Sequence, residues 1–252
     1  MEEFKLPKGW EEIPLSQFNE LKKLDEDDSS FFVRHIDMFS ILTDSDPTDE
    51  YWEDMDIEDV SAIITSLKWL EISPTSILQQ ELNGMTLKDI KTITFGEFID
   101  LEYFFSDNYY NNLDKIAAIL YRKTKLDEWG NIALEPYGSI DLESRSKLFS
   151  EMPITNLYGL ISYFLNFKSQ INETYVNLFE PIINEEDLDE EEIYDEETQD
   201  VIKEEIRLSK WSWETVLNNL SNGDITKYED ITNLSIIFIM NQLSYRKDMN
   251  IK

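Results

Sequence analysis

The chain has no cysteine, one histidine and seven glycines, and it is short of bases: 22 Lys and Arg stand against 53 Asp and Glu in 252 residues, a formal net charge of −31. Zero cysteine excludes disulfides, thiolate metal sites and thiol nucleophiles. Seven glycines are too few for Gly-rich phosphate loops, collagen or a many-turned β-sandwich. The shortage of bases leaves a surface that repels nucleic-acid phosphates and anionic membranes and attracts basic partners. No run approaches the ~20 apolar residues of a membrane span. The most apolar windows, 157–167 and 234–243, are shorter and contain polar residues. The opening MEEFKLPKGWEEIPL carries acids at positions 2 and 3 and lacks the basic start and apolar stretch of a secretory signal. A soluble protein is expected.

What the chain does have is core material. Hydrophobic residues make up 41% and aromatics 13%, enough to exclude disorder through lack of hydrophobes over most of the length. Leu15, Phe18, Leu21 and Leu24 recur every three residues after Pro14 and predict a helix. A second helix is expected over 31–42. A third follows the N-cap Asp56, with Ile57, Val60, Ile64, Leu67 and Leu70 on its face. Asn83-Gly84 favours the positive φ values of a type I′ turn, so a small β-hairpin is expected near 76–90. Thr94 and Glu97 are spaced as a capping box for a helix from Phe95. Residues 108–124 read as one helix with Leu113, Ile116, Ala117 and Leu120 inside. Residues 125–139, with Trp129-Gly130-Asn131, read as an irregular loop or a second hairpin. Asp141 caps a helix through Met152. Pro153 begins the longest apolar stretch, to Phe179, expected as one central helix. Ser221 to Asp224 stops a helix, and 232–248 forms the last one, with Leu234, Ile237, Ile239, Met240 and Leu243 inside. No repeat of ~20–50 residues is evident.

The fold class expected is mainly α: a helical body over 1–183 with one or two small β-hairpins, an acidic linker or solvated helix over 184–200, and a helical C-terminal unit over 201–252. Residues 185–200 hold eleven acids and no base.

Chemistry is harder to place. His35 lies between Arg34 and Asp37 with no nucleophile motif, and an ordinary helical histidine is the reading it favours. Asp187, Asp189 and Glu191 alternate like the start of an EF-hand loop, but Glu192 and Thr198 stand where the loop needs its Gly and Glu. No phosphate-loop, dinucleotide, nucleophile-elbow or H-E-x-x-H motif occurs. No catalytic residue, metal ligand or cofactor is assigned. The candidates are therefore partner contacts: Trp211, Trp213, Tyr109 and Tyr110, since Trp and Tyr anchor interfaces, together with Glu190, Glu191 and Glu192 of the acidic run. Trp211 and Trp213, two apart on a helix, face different ways, so one of them is expected to serve a partner or another domain.

Four stretches read together: LPKGWEEIPLSQFNEL, then an Asn-Gly hairpin followed by FGEFIDLEYFF, then NNLDKIAAILYRK, and at the C-terminus Trp211-Ser212-Trp213 followed by VLNNLSNGDITKYEDITNLSIIFIMNQLSYRKD. In this order they resemble a group of virion structural and tail-assembly proteins of tailed bacteriophages, especially crAss-like phages of Bacteroidota. Some members look like tail-assembly chaperones. The resemblance implies a non-enzymatic role in building the particle, other phage structural proteins as partners, including ones with basic surfaces, and residence in the host cytoplasm during assembly and in the virion. It implies no direct contact with nucleic acid or membrane. Two other readings remain open on composition: an acidic nucleic-acid mimic that occupies a DNA-binding protein, and an enzyme using carboxylates and a divalent metal.

Overall fold

A computed structural model describes residues 5–26, 30–45, 56–75, 77–106, 108–126, 128–179 and 212–249. The fold is mainly α with two small antiparallel sheets. In chain order the helices are α1 (Leu15–Lys23), α2 (Phe31–Thr43), α3 (Ile57–Ser66), α4 (Phe95–Ser106), α5 (Leu113–Leu120), α6 (Leu142–Ser150), α7 (Ile154–Leu157), α8 (Gly159–Thr174), α9 (Val176–Phe179), α10 (Ser212–Ser221), α11 (Tyr228–Thr232) and α12 (Ile236–Asp248). The strands are β1 (Glu81–Leu82), β2 (Met85–Leu87), β3 (Tyr121–Arg122), β4 (Thr124–Leu126) and β5 (Ile132–Leu134). Two compact units divide the chain: unit 1 is Met1–Lys88 with Phe104–Phe164, and unit 2 is Asp89–Tyr103 with Leu165–Lys252. The acidic run at 184–200 lies outside the described residues.

Unit 1 is built on α5. Its Leu113, Ile116, Ala117, Ala118, Ile119 and Leu120 are all 0% exposed, as befits a helix apolar on nearly every side. It packs against α6. The helix ends at Leu120, short of the expected 124. Tyr121 and Arg122 instead pair with Leu87 and Thr86 of β2. The Asn83-Gly84 turn forms as expected, with φ of 50° and 72°, and sets Leu82 opposite Met85. The expected strands shrink to two and three residues. Residues 125–139 do contain a second hairpin, β4–β5. The face expected on α3 is not a core face: Ile57 is 87% exposed and only the flanking Leu67 is buried.

The expected single helix from Pro153 to Phe179 is broken at Tyr158 and Tyr175 into α7, α8 and α9. Gly159 stands at the first break because the chain passes close to it. A Cβ there would lie 3.1 Å from the backbone N of Leu78.

One device occurs in both units. In unit 1 the N–H of Leu15 donates to the Met152 carbonyl and the N–H of Ile154 to the Ile13 carbonyl, both at 2.9 Å. In unit 2 the N–H of Phe95 donates to the Leu234 carbonyl at 2.8 Å, and that of Ile236 to the Ile93 carbonyl at 3.1 Å. Each pair of helix starts thus satisfies two N–H groups that a helix N-terminus leaves without partners. Pro14, Pro153 and Ser235 sit at the N-cap without a side-chain cap bond. Thr94 adds the expected capping box: its N–H donates to Glu97 Oε2 at 2.6 Å and its Oγ1 accepts from the Glu97 N–H at 3.3 Å. In all four helices the first and fourth residues are 0–2% exposed: Leu15 and Phe18, Phe95 and Phe98, Ile154 and Leu157, Ile236 and Ile239. The sequences IPLSQF, ITFGEF, MPITNL and LSIIFI are therefore four copies of one motif, apolar–Pro/Thr/Ser–apolar–x–x–apolar. They are further apart than the ~20–50 residues of solenoid repeats, and so escape a search at that period.

Elsewhere in unit 2, α10 ends on Asn222 and Gly223, at φ of 55° and 75°. The Gly223 N–H donates to the Asn218 carbonyl at 2.8 Å, a Schellman-type stop at the place expected. On α12, Ile236, Ile239 and Met240 are buried, whereas Leu234, expected inside, is 40% exposed. As the residue just before the cap, Leu234 spends its carbonyl on the bridge and leaves its side chain outside.

Candidate protein-docking hairpin

Strands β3 and β4 are one bent strand paired on opposite edges. Thr86 of β2 faces Arg122, and Leu134 of β5 faces Thr124. At the bend Lys123 turns its backbone toward β5. Its carbonyl accepts from the Glu135 N–H at 2.9 Å and its N–H donates to Glu135 Oε1 at 2.9 Å. Glu135 also forms an ion pair with Arg145 of α6 at 2.5 Å. The two side chains are only 6% and 9% exposed. Burial pushes the Glu135 carboxyl up, but hydrogen bonds from Arg145 and the Lys123 N–H, with the charges of Arg145 and Arg122, outweigh it and hold the group below the usual carboxylate range. The Arg122 guanidinium, itself buried, lies 4.8 Å over the Tyr137 ring. These contacts clamp the base of the hairpin to α6.

Beyond that clamp the hairpin exposes three large apolar side chains. The register sets Leu126 directly opposite Ile132, so both side chains project from one face. Leu126 is 72% exposed, Ile132 78%, and Trp129 in the turn 82%. Gly130 makes the turn at φ 81°, where a side chain would be strained. On the opposite face Lys125 pairs with Ala133. The three apolar side chains offer on the order of 400 Å², within the ~300–600 Å² of the largest patch on a typical monomer, which is often functional. Removing it from water would gain about 10 kcal/mol at about 25 cal/mol per Å². Immobilising a partner costs roughly 4–15 kcal/mol. A tip of this size supports reversible docking, tightened by whatever contacts surround it.

The residues singled out from sequence are placed elsewhere. Tyr109 and Tyr110 join an aromatic cluster in unit 1. Tyr109 stacks on Phe105 at 5.9 Å, and Tyr110 meets Phe18 edge-on at 5.6 Å with Tyr158 at 6.4 Å. Burial, followed by hydrogen bonds with Tyr109 and Tyr158, pushes the Tyr110 phenol up. Lys22 Nζ lies 5.7 Å from its ring. Both tyrosines are half-buried. Trp213, also half-buried, meets Phe95 and Phe98 of unit 2 edge-on at 5.8 and 5.2 Å. Trp211 and Glu190, Glu191 and Glu192 lie outside the described residues. His35 donates through Nδ1 to the Phe31 carbonyl at 2.7 Å, and its ring lies 4.1 Å from the Phe31 ring at a tilt of 43°. Neighbouring Arg34 reaches the Leu24 carbonyl instead. Leu126 and Ile132 are not among the sequence candidates, and Trp129 enters there only as part of the Trp129-Gly130-Asn131 stretch. Their signal was available: apolar residues on both sides of a Trp-Gly-Asn turn, in a stretch too short to bury them.

Among the described residues no group of three or more His, Cys, Asp or Glu could hold a metal ion, and no helix is long and apolar enough to cross a membrane. Comparison with protein-family models, with curated proteins and with solved structures returned no match.

Proposed function

We propose that this protein is a non-enzymatic interaction protein of a tailed bacteriophage, a particle component or an assembly chaperone, and that the β4–β5 hairpin is its principal grip on a partner. The observation that carries the docking part is the clamped hairpin with Leu126, Trp129 and Ile132 exposed at 72%, 82% and 78%. A chain folding alone gains nothing by holding three large apolar side chains in water on a fixed support. The phage part rests on the resemblance of the motif order. The partners are other structural proteins of the particle, those with basic surfaces being drawn by the net charge of −31. The setting is the host cytoplasm during assembly and the virion.

The test is affinity capture from infected cells with wild-type chain and with a Leu126→Ser, Trp129→Ala, Ile132→Ser variant. Capture of structural proteins by wild type and its loss in the variant, with far-UV circular dichroism unchanged, is the expected result. Equal capture by both overturns the role of the hairpin. Capture of no structural protein by wild type overturns the phage-assembly reading.

A further inference from the structure

Unit 2 carries an open apolar groove of about 230 Å³ lined by Lys91, Phe167, Gln170, Ile171, Thr174, Tyr175 and Ile237. That is below the ~300–1,000 Å³ of a small-molecule pocket and suits a single large side chain. Phe167, Ile171 and Tyr175 are 3%, 2% and 8% exposed and form firm walls. The lining includes one base and no acid, in a chain where acids outnumber bases 53 to 22.

Resting on the docking role of the hairpin, we infer that this groove is the socket for Trp129 of a second copy of the chain. The two surfaces match in two respects. The apolar tip meets apolar walls. The exposed Glu128 adjoins Trp129 as the exposed Lys91 adjoins the groove. Knob and socket are different surfaces, so a first contact leaves one copy with a free socket and the other with a free knob, and a second contact either closes a reciprocal dimer or extends the assembly. Two chains of net charge −31 repel at long range, which makes the association weak at low salt and stronger as salt screens the charges.

The experiment is sedimentation velocity of the full chain over about 1 µM to 1 mM, a span in which weak contacts saturate. It is run at about 0.1 M and about 1 M salt, where the Debye length falls from about 10 Å to about 3 Å. Wild type is expected to grow beyond monomer with concentration, more so at the higher salt. Trp129→Ala removes the knob, and Thr174→Trp, at an exposed position, fills the socket. Each variant alone is expected to stay monomeric with unchanged circular dichroism. Their equimolar mixture is expected to stop at a dimer, because each supplies the half the other lacks. Wild type that stays monomeric throughout, Trp129→Ala that associates like wild type, or a mixture that gives no dimer each overturns the inference. If wild type is monomeric yet its capture of structural proteins still depends on Trp129, the self-assembly inference falls and the docking role stands. If capture is also independent of Trp129, both fall.

Discussion

Replacing Arg145 by Met leaves the Glu135 carboxylate enclosed with half its support removed. The pair is buried to more than nine-tenths on both sides. Breaking a fully buried ion pair from one side costs about 3–5 kcal/mol, because the remaining charge is stranded. Here the Lys123 N–H still donates to Glu135 and the charge of Arg122 still acts on it, so about 2–3 kcal/mol is expected. For a chain of this length that lowers Tm by roughly 4–12 °C, at about 2–4 °C per kcal/mol. The pH dependence makes the assignment specific. In wild type the Glu135 carboxyl is held low, so its contribution is present above its unfolded pKa and is lost as pH falls through the folded value. In the variant burial dominates and raises the carboxyl, so the penalty is present at neutral pH and is relieved as the group takes up a proton in acid. The gap between the two proteins should therefore narrow from pH 7 toward pH 4. Adding Glu135→Leu to Arg145→Met should recover most of the loss, since no charge is left to strand. Urea unfolding at several pH values reads all three. A loss under about 1 kcal/mol that does not vary with pH would refute the clamp.

Four further outcomes follow from the same geometry. Trp129→Ala should change stability by less than about 0.5 kcal/mol, as an exposed substitution does, and a larger loss in urea unfolding would mean that the tip is part of the core. Gly159→Ala should destabilise by about 1 kcal/mol net, because crowding against the Leu78 backbone (about 1–3 kcal/mol) exceeds the helix-propensity gain of about 1 kcal/mol; a rise in Tm would contradict the close approach. Thr94→Ala should cost about 1 kcal/mol through loss of the N-cap acceptor, measured the same way, and no change would deny the capping box. Burial, with a smaller contribution from Tyr163, pushes the Tyr121 phenol from 10.0 up to about 12. A raised group stabilises fully below its unfolded value, so that contribution should fade between pH 10 and 12; Tyr121→Phe should flatten this part of the stability curve, and an identical alkaline loss in both proteins would rule the assignment out.

Local signals in the sequence led to much of the fold. Asp56, Thr94 with Glu97, Asp141, Asn83-Gly84 and Asn222-Gly223 all mark the ends or turns they occupy, because each acts through contacts within a few residues. What depends on distant partners was not legible. Residues 121 and 122 continue the helical pattern of α5 but pair with β2, since Thr86 and Leu87 offer a strand edge that no local pattern announces. The apolar stripe of α3 looks like core, but Ile57 is exposed, Val60 and Ile64 are half-buried, and only Leu67 is buried. The glycine at 159, beside the break at Tyr158, answers to the backbone at Leu78, some eighty residues earlier. The four-fold motif is written plainly in IPLSQF, ITFGEF, MPITNL and LSIIFI, yet its meaning, reciprocal capping of paired helix starts, needs the pairing to be seen. For docking residues, aromatic abundance drew attention to Tyr109, Tyr110 and Trp213, which are packed against other rings, whereas Trp129 is set apart only by its exposure.

The central claim is that the chain works by contact, through the tip of the β4–β5 hairpin. A benzophenone amino acid placed at position 129 and photolysed in infected cells tests it most directly, with position 147, on the exposed side of α6, as control. Adducts to virion structural proteins, or to the Lys91–Ile237 groove of a second copy, are predicted at 129 and absent at 147. Equal labelling at the two positions, or no protein adduct at 129, would contradict the account.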